Sequence, residues 1–168
     1  MNIKIKKNFL TLFGIGYIKF ASGTFASLFT CFFYYFSILL NINFAIPTIL
    51  LLLIIPISIV IINNNLNLFS QIDAREIVID EYIGQSIPII ATYYFFLIFH
   101  DFNMNDDKWF LIQFMVIAFL SFRFFDITKP FPINLIDKIK NGYGVIMDDI
   151  LAGVYSAIFL YIIYRLIN

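Results

Sequence analysis

Histidine and cysteine each occur once in these 168 residues, and their scarcity removes several kinds of chemistry. Cys31 has no partner for a disulfide within the chain. It sits in an apolar run with no His or Arg nearby to activate a thiolate, so it reads as a small buried hydrophobe. His100, beside Asp101, cannot supply a two-histidine relay and reads as a solvated group at a helix end. Charge is scarce too. Charged residues make up 13% of the chain, and 11 Lys and Arg balance 11 Asp and Glu, for a formal net charge of zero. That balance offers no electrostatic basis for nucleic-acid binding. So few charges also cannot cover a soluble globule of this size.

What is abundant is apolar: 61% of the residues are hydrophobic. The surplus of Ile, Phe, Asn, Lys and Tyr resembles nucleotide-composition drift, which inflates average hydropathy, so run length is the better guide. Five segments approach or reach the roughly 17–25 residues that a spanning helix needs. They are Thr24–Leu40, Phe44–Ile62, Ile77–Phe99, Trp109–Asp126 and Val145–Ile167. The expected fold is all-α: one integral-membrane domain over residues 1–168, a polytopic transmembrane bundle of about five apolar helices. A four-span variant would leave one segment in the interface. Asn41-Ile-Asn43 is a tight polar break, so the first two segments should form a helical hairpin.

The N-terminus has a basic start at Lys4, Lys6 and Lys7, an apolar stretch from Phe9 to Tyr17, and Ala21-Ser-Gly23 where a signal peptide would be cleaved. Lys19 interrupts that pattern and another apolar run follows at once. The expectation is an interfacial amphipathic segment with Ile5, Phe9 and Leu12 on one face. Basic residues also orient the bundle. Lys4, Lys6, Lys7 and Lys19 flank the first segment, Arg75 lies in the second connection, and Lys129, Lys138 and Lys140 lie in the fourth. The positive-inside rule puts these in the cytoplasm, with Arg165 left at the outer end. Ser22-Gly-Thr24, Asp80-Glu81, Asp126 with Lys129, and Asp148-Asp149 would then share the cytoplasmic end of the bundle.

Acids near lipid are costly, about 2.5–3.5 kcal/mol each at a helix centre on insertion scales, and are functional candidates by default. Ile77-Val-Ile-Asp-Glu-Tyr-Ile-Gly84 and Val145-Ile-Met-Asp-Asp-Ile-Leu-Ala-Gly153 read alike: three apolar residues, an acid pair, two large residues, then a small one. Asp80 and Gly84 share a helix face, as do Asp149 and Gly153, and a small residue lets a neighbouring helix approach closely. Two pseudo-equivalent helices could thus turn carboxylates toward one hard cation such as Mg2+. The plainer reading is solvated acids at helix N-termini. Phe122-Arg-Phe-Phe-Asp-Ile-Thr-Lys-Pro-Phe-Pro132 supplies the opposite charge. Arg123 and Asp126 share a face, and the prolines end the helix at Lys129. Arg and Lys there suit a phosphate, or else a structural Arg–Asp pair and a snorkelling lysine. Ser22 or Thr24 could cap the first long helix, and Asn141-Gly-Tyr-Gly144 reads as flexible backbone ahead of Asp148. Together these features point to metal-assisted hydrolysis of a phosphorylated, membrane-embedded substrate. The competing class is a small ion-coupled transporter using the same acids, which would place them nearer the bilayer midplane.

From about Gly14 to Gly153 the chain closely resembles the bacterial phosphatidylglycerophosphatase A family. The resemblance is carried by Ile79-Asp-Glu-Tyr-Ile-Gly84, Phe122 to Pro132, and Gly144 to Gly153, in that order. It implies a magnesium-dependent lipid phosphatase of the bacterial inner membrane that converts phosphatidylglycerophosphate to phosphatidylglycerol, with its site on the cytoplasmic side. By position it implies Asp80, Glu81, Asp148 and Asp149 as metal-site acids and Arg123 and Lys129 as phosphate contacts. Asp126 would be a ligand or a water-positioning group, and Asp73 a lesser candidate. Where the family has Ala-Pro-Gly-Thr and a later glycine, this chain has Ala21-Ser-Gly-Thr24 and Ala26. Its double glycine appears as Asn141-Gly142. Both departures touch turn geometry rather than charge.

Overall fold

The computed structural model describes residues 2–64, 69, 74–99 and 107–167. Asp73, His100, Asp101 and most of the third connection lie outside these residues. Among the described residues all regular structure is helical: α1 (Ile3–Leu10), a 3-10 turn (Ile15–Tyr17), α2 (Ser22–Leu39), α3 (Ala45–Asn63), α4 (Ile79–Phe99), α5 (Lys108–Thr128), α6 (Ile133–Ile136) and α7 (Gly142–Ile167). Four of these, α2, α3, α5 and α7, are long and apolar enough to cross a membrane.

The fifth long helix, α4, occupies the middle. It packs against α2, α3, α5 and α7, and of its first twelve residues all but Glu81 and Ile87 are buried. A helix surrounded by protein need not be apolar all round. That is why α4 tolerates Asp80, Glu81, Gln85 and Ser86 where the lipid-facing α3 carries an almost unbroken aliphatic run.

The most extensive helix contact is α4 against α7. A methyl placed on Gly153 would overlap the Gly84 carbonyl, and one on Gly84 would lie 2.5 Å from the Phe122 ring and 2.7 Å from the Asp149 carbonyl. Small residues here let two backbones meet, the arrangement expected of membrane helices. It places the acid-bearing turns of both helices side by side.

Local details depart from the sequence reading. α1 ends at Leu10, and the chain turns through Leu12 and Phe13 at positive φ. Leu12 is buried while Ile5 is exposed, so Ile5, Phe9 and Leu12 do not form one face. The loop is held instead by the Val78 amide donating to the Leu10 carbonyl at 3.0 Å. Neither Ser22 nor Thr24 caps α2. The N-cap is Ala21, in the left-handed region at φ 52°, and the Ser22 hydroxyl donates to the Arg75 carbonyl at 2.9 Å, tying the start of α2 to the approach to α4. Gly142 and Gly144 are helical rather than flexible: α7 begins three residues before the expected Val145, with Asn141 Oδ1 accepting from the Gly144 amide at 2.9 Å. These glycines are needed for space, since a methyl on Gly144 would strike the Ile139 carbonyl.

Candidate active site

Four helices bring their polar ends together. α4 contributes Asp80 and Glu81 in its first turn and α7 contributes Asp149 from its second. These three carboxylates each offer an oxygen within 4.8 Å of the others. α5 brings Arg123 and Asp126 in its last two turns, paired at 2.7 Å. Asp126 also lies within side-chain hydrogen-bond reach of Asp149, and both Arg123 and Asp126 act electrostatically on Glu81. α2 supplies its N-terminus, where Gly23 lies directly against Glu81 Oε1. The partial positive charge of a helix N-terminus favours a carboxylate there.

Asp148 is placed differently from its neighbour. Successive helical residues point about 100° apart, and Asp148 turns away from the triad toward Lys129, whose Nζ donates to its Oδ2 at 2.7 Å. Lys129 itself caps α5 in the left-handed region at φ 40°. Its ammonium also pairs with Asp137, just past the short α6, a residue the sequence reading did not single out. Burial opposes the Lys129 charge, but its bonds to Asp137 and Asp148 outweigh this and raise its pKa above the ordinary lysine range. The Lys129 bond correspondingly holds Asp137 below the usual carboxylate range. The pair was not legible in the sequence, because Asp137 lies eight positions beyond Lys129 and only the path through α6 brings it back.

The residues present fit a hard divalent cation. Oxygen-only donors from three carboxylates are the ligands Mg2+ takes, and Glu81 Oε2 is buried with no hydrogen-bond partner. Five carboxylates (Asp80, Glu81, Asp126, Asp148 and Asp149) face two basic groups, Arg123 and Lys129. Uncompensated like charge in such a buried setting is strongly unfavourable. One turn below Glu81, Gln85 is fully buried and its amide nitrogen and oxygen likewise have no protein partner. It is a polar group beneath the triad that residue pattern alone gave no reason to choose.

Gly23 offers a clean perturbation. A methyl there would overlap Glu81 Oε1 and lie 2.9 Å from its Cδ, and the flexible carboxylate is the part able to give way. Gly23→Ala is therefore expected to leave the helices intact by circular dichroism while displacing Glu81. An activity loss of about 10–100-fold, the scale for disturbing groups that support a metal site, is the expected result.

Fold and site together define a multi-pass helical membrane protein with a carboxylate-rich centre at one end of its bundle. The chain belongs to the phosphatidylglycerophosphatase A family, whose model matches residues 8–164. It is 38% identical over 92 residues to a phosphatidylglycerophosphatase A of Haemophilus influenzae, covering 54% of this chain and 47% of that protein. The corresponding Escherichia coli protein is 37% identical over 92 residues, 54% of this chain and 45% of that one. A Bacteroides thetaiotaomicron protein provisionally named a phosphatidylinositol-3-phosphatase is 38% identical over 88 residues, 52% of this chain and 47% of that one. The matched stretch thus spans about half the length of these curated relatives. No solved structure matches the chain.

Proposed function

We propose that the protein is a phosphomonoesterase that removes the terminal phosphate of phosphatidylglycerophosphate within the membrane, leaving phosphatidylglycerol. The observation that carries this reading is the meeting of Asp80, Glu81 and Asp149 from two helices, flanked by Arg123 and Lys129. Asp80, Glu81 and Asp149 would hold Mg2+. When bound, the ion would supply positive charge to the phosphoryl group and lower the pKa of nearby water.

The remaining roles fall to this chain's own groups. Arg123 can take two phosphate oxygens through parallel N–H bonds, exchanging its contact with Asp126. Lys129 is a point charge beside them, and Asp148 and Asp137 hold it from two sides. Asp126, released from Arg123 and next to Asp149, is placed to orient an attacking water and take its proton. The surrounding helices exclude bulk water, which strengthens each of these interactions. Lys19, Lys129, Lys138 and Lys140 lie at the same end of the bundle as the acids, which supports a cytoplasmic-face site in a bacterial inner membrane.

The test is phosphate release by the full chain in detergent micelles, with Mg2+ and then with chelator. Release from phosphatidylglycerophosphate that stops on chelation and returns with Mg2+ is expected. Undiminished release under chelator would overturn the metal assignment. The name of the Bacteroides relative makes phosphatidylinositol 3-phosphate the necessary comparison, and faster release from that lipid would move the substrate assignment.

A further inference from the structure

We infer that a groove between α2 and α5 holds one acyl chain of the lipid whose phosphate occupies the acidic site, an inference that rests on the lipid-phosphatase reading above. The groove has a volume of about 400 Å3. Its floor is Cys31 and Met115, both buried, joined by the Cys31 thiol donating to the Met115 carbonyl at 3.9 Å. Phe32 and Val116 form walls open to the membrane, at 61% and 50% exposure. Its lining is almost wholly apolar, from Leu28 and Phe119 at one end to Tyr35 and Ile112 at the other.

What assigns the occupant is continuity with the site. On α5 the lining positions 112, 116 and 119 form one stripe at helical spacing, and Arg123 is the next position on that stripe. On α2 the lining runs 35, 32 or 31, then 28, and the next position toward the helix start is Thr24, next in the chain to Gly23, which lies against Glu81. Arg123 is four positions beyond Phe119, a rise of about 6 Å. A phospholipid with its phosphate at Arg123 must send its acyl chains from that point toward the bilayer centre, and this groove is the cleft that begins there. The lipid-facing side of α3 is also apolar, with Leu52 and Leu53 more than half exposed, but none of the described site residues lies on α3.

The test compares dioleoyl with dihexanoyl phosphatidylglycerophosphate in mixed micelles. Val116→Trp fills the groove from a wall exposed to lipid, where a larger side chain needs no repacking of the core. KM for the dioleoyl substrate is expected to rise about tenfold, the equivalent of removing two methylene groups from apolar contact. Turnover of the dihexanoyl substrate should stay near the wild-type value. Equal losses on both substrates, or no change on either, would overturn the groove assignment, as would a dimer in detergent that Val116→Trp converts to monomer. In wild-type protein, a substrate analogue carrying a diazirine midway along its acyl chain should crosslink to Phe32, Tyr35, Ile112 or Val116. Adducts scattered along α3 would count against the groove. A wild-type chain that releases no phosphate from either lipid would instead bring down the phosphatase reading, and this inference with it.

Discussion

Asp149→Asn is expected to reduce phosphate release by on the order of 10²–10³-fold, the scale for removing one pre-placed electrostatic group from a reacting centre. Asp149 is the one acid of α7 that reaches the carboxylates of α4, and it also adjoins Asp126. The substitution keeps shape and hydrogen-bonding capacity and removes one negative charge. In a cluster of like charges that removal relieves repulsion. The melting temperature measured in chelator should therefore be unchanged or higher even as activity disappears. This opposition separates a working acid from a structural one. A variant that melts early and loses activity in proportion would indicate that Asp149 serves the fold, and full activity would remove it from the metal site. Mg2+ should raise the melting temperature of the wild type and raise that of the variant much less, because only the wild-type triad offers three charged ligands.

Gly153→Ala is expected to have the largest effect on stability. A methyl at that position overlaps the Gly84 carbonyl and lies 3.0 Å from Ile87 Cβ. Backbone cannot rotate out of the way as a side chain can, so α4 and α7 must separate. Overpacking of this kind costs about 1–3 kcal/mol, and it should appear as a lower melting temperature in detergent. The same separation would carry Asp149 away from Asp80 and Glu81, so residual activity should fall further than the folded fraction. Val154→Ala is the control. Val154 is one position along the same helix but partly exposed, at 37%, and its truncation should leave both melting and activity close to wild type. If Gly153→Ala behaves like the control, the helix contact does not set the spacing of the acids.

The helices were legible in advance because apolar run length and polar breaks are properties of the chain alone. Expected and observed limits differ by at most three residues, and the differences have local causes: Asp107 caps α5 through the Trp109 and Phe110 amides, and Asn141 starts α7 early. Acid pairs followed by a small residue also marked α4 and α7 as two helices that could pack closely. Features that depend on tertiary neighbours were not legible in the chain. Ser22 has the chemistry of a helix cap but bonds to a carbonyl 53 residues away. Gly142 and Gly144 read as hinge residues but serve as clearance against other backbone.

By itself, then, the sequence determined an all-helical membrane bundle and the residue types available to its polar centre, because hydrophobic length and charge placement require no knowledge of partners. Only the tertiary structure decided that Asp80, Glu81 and Asp149 meet while Asp148 turns to Lys129 and Asp137. It also made α4, which carries Asp80, Glu81, Gln85 and Ser86 in its first turns, the innermost of the long helices. The physical reason is rotational phase. Two adjacent acids on a helix are chemically alike, and which of them faces a neighbour is set by where small residues allow the helices to close.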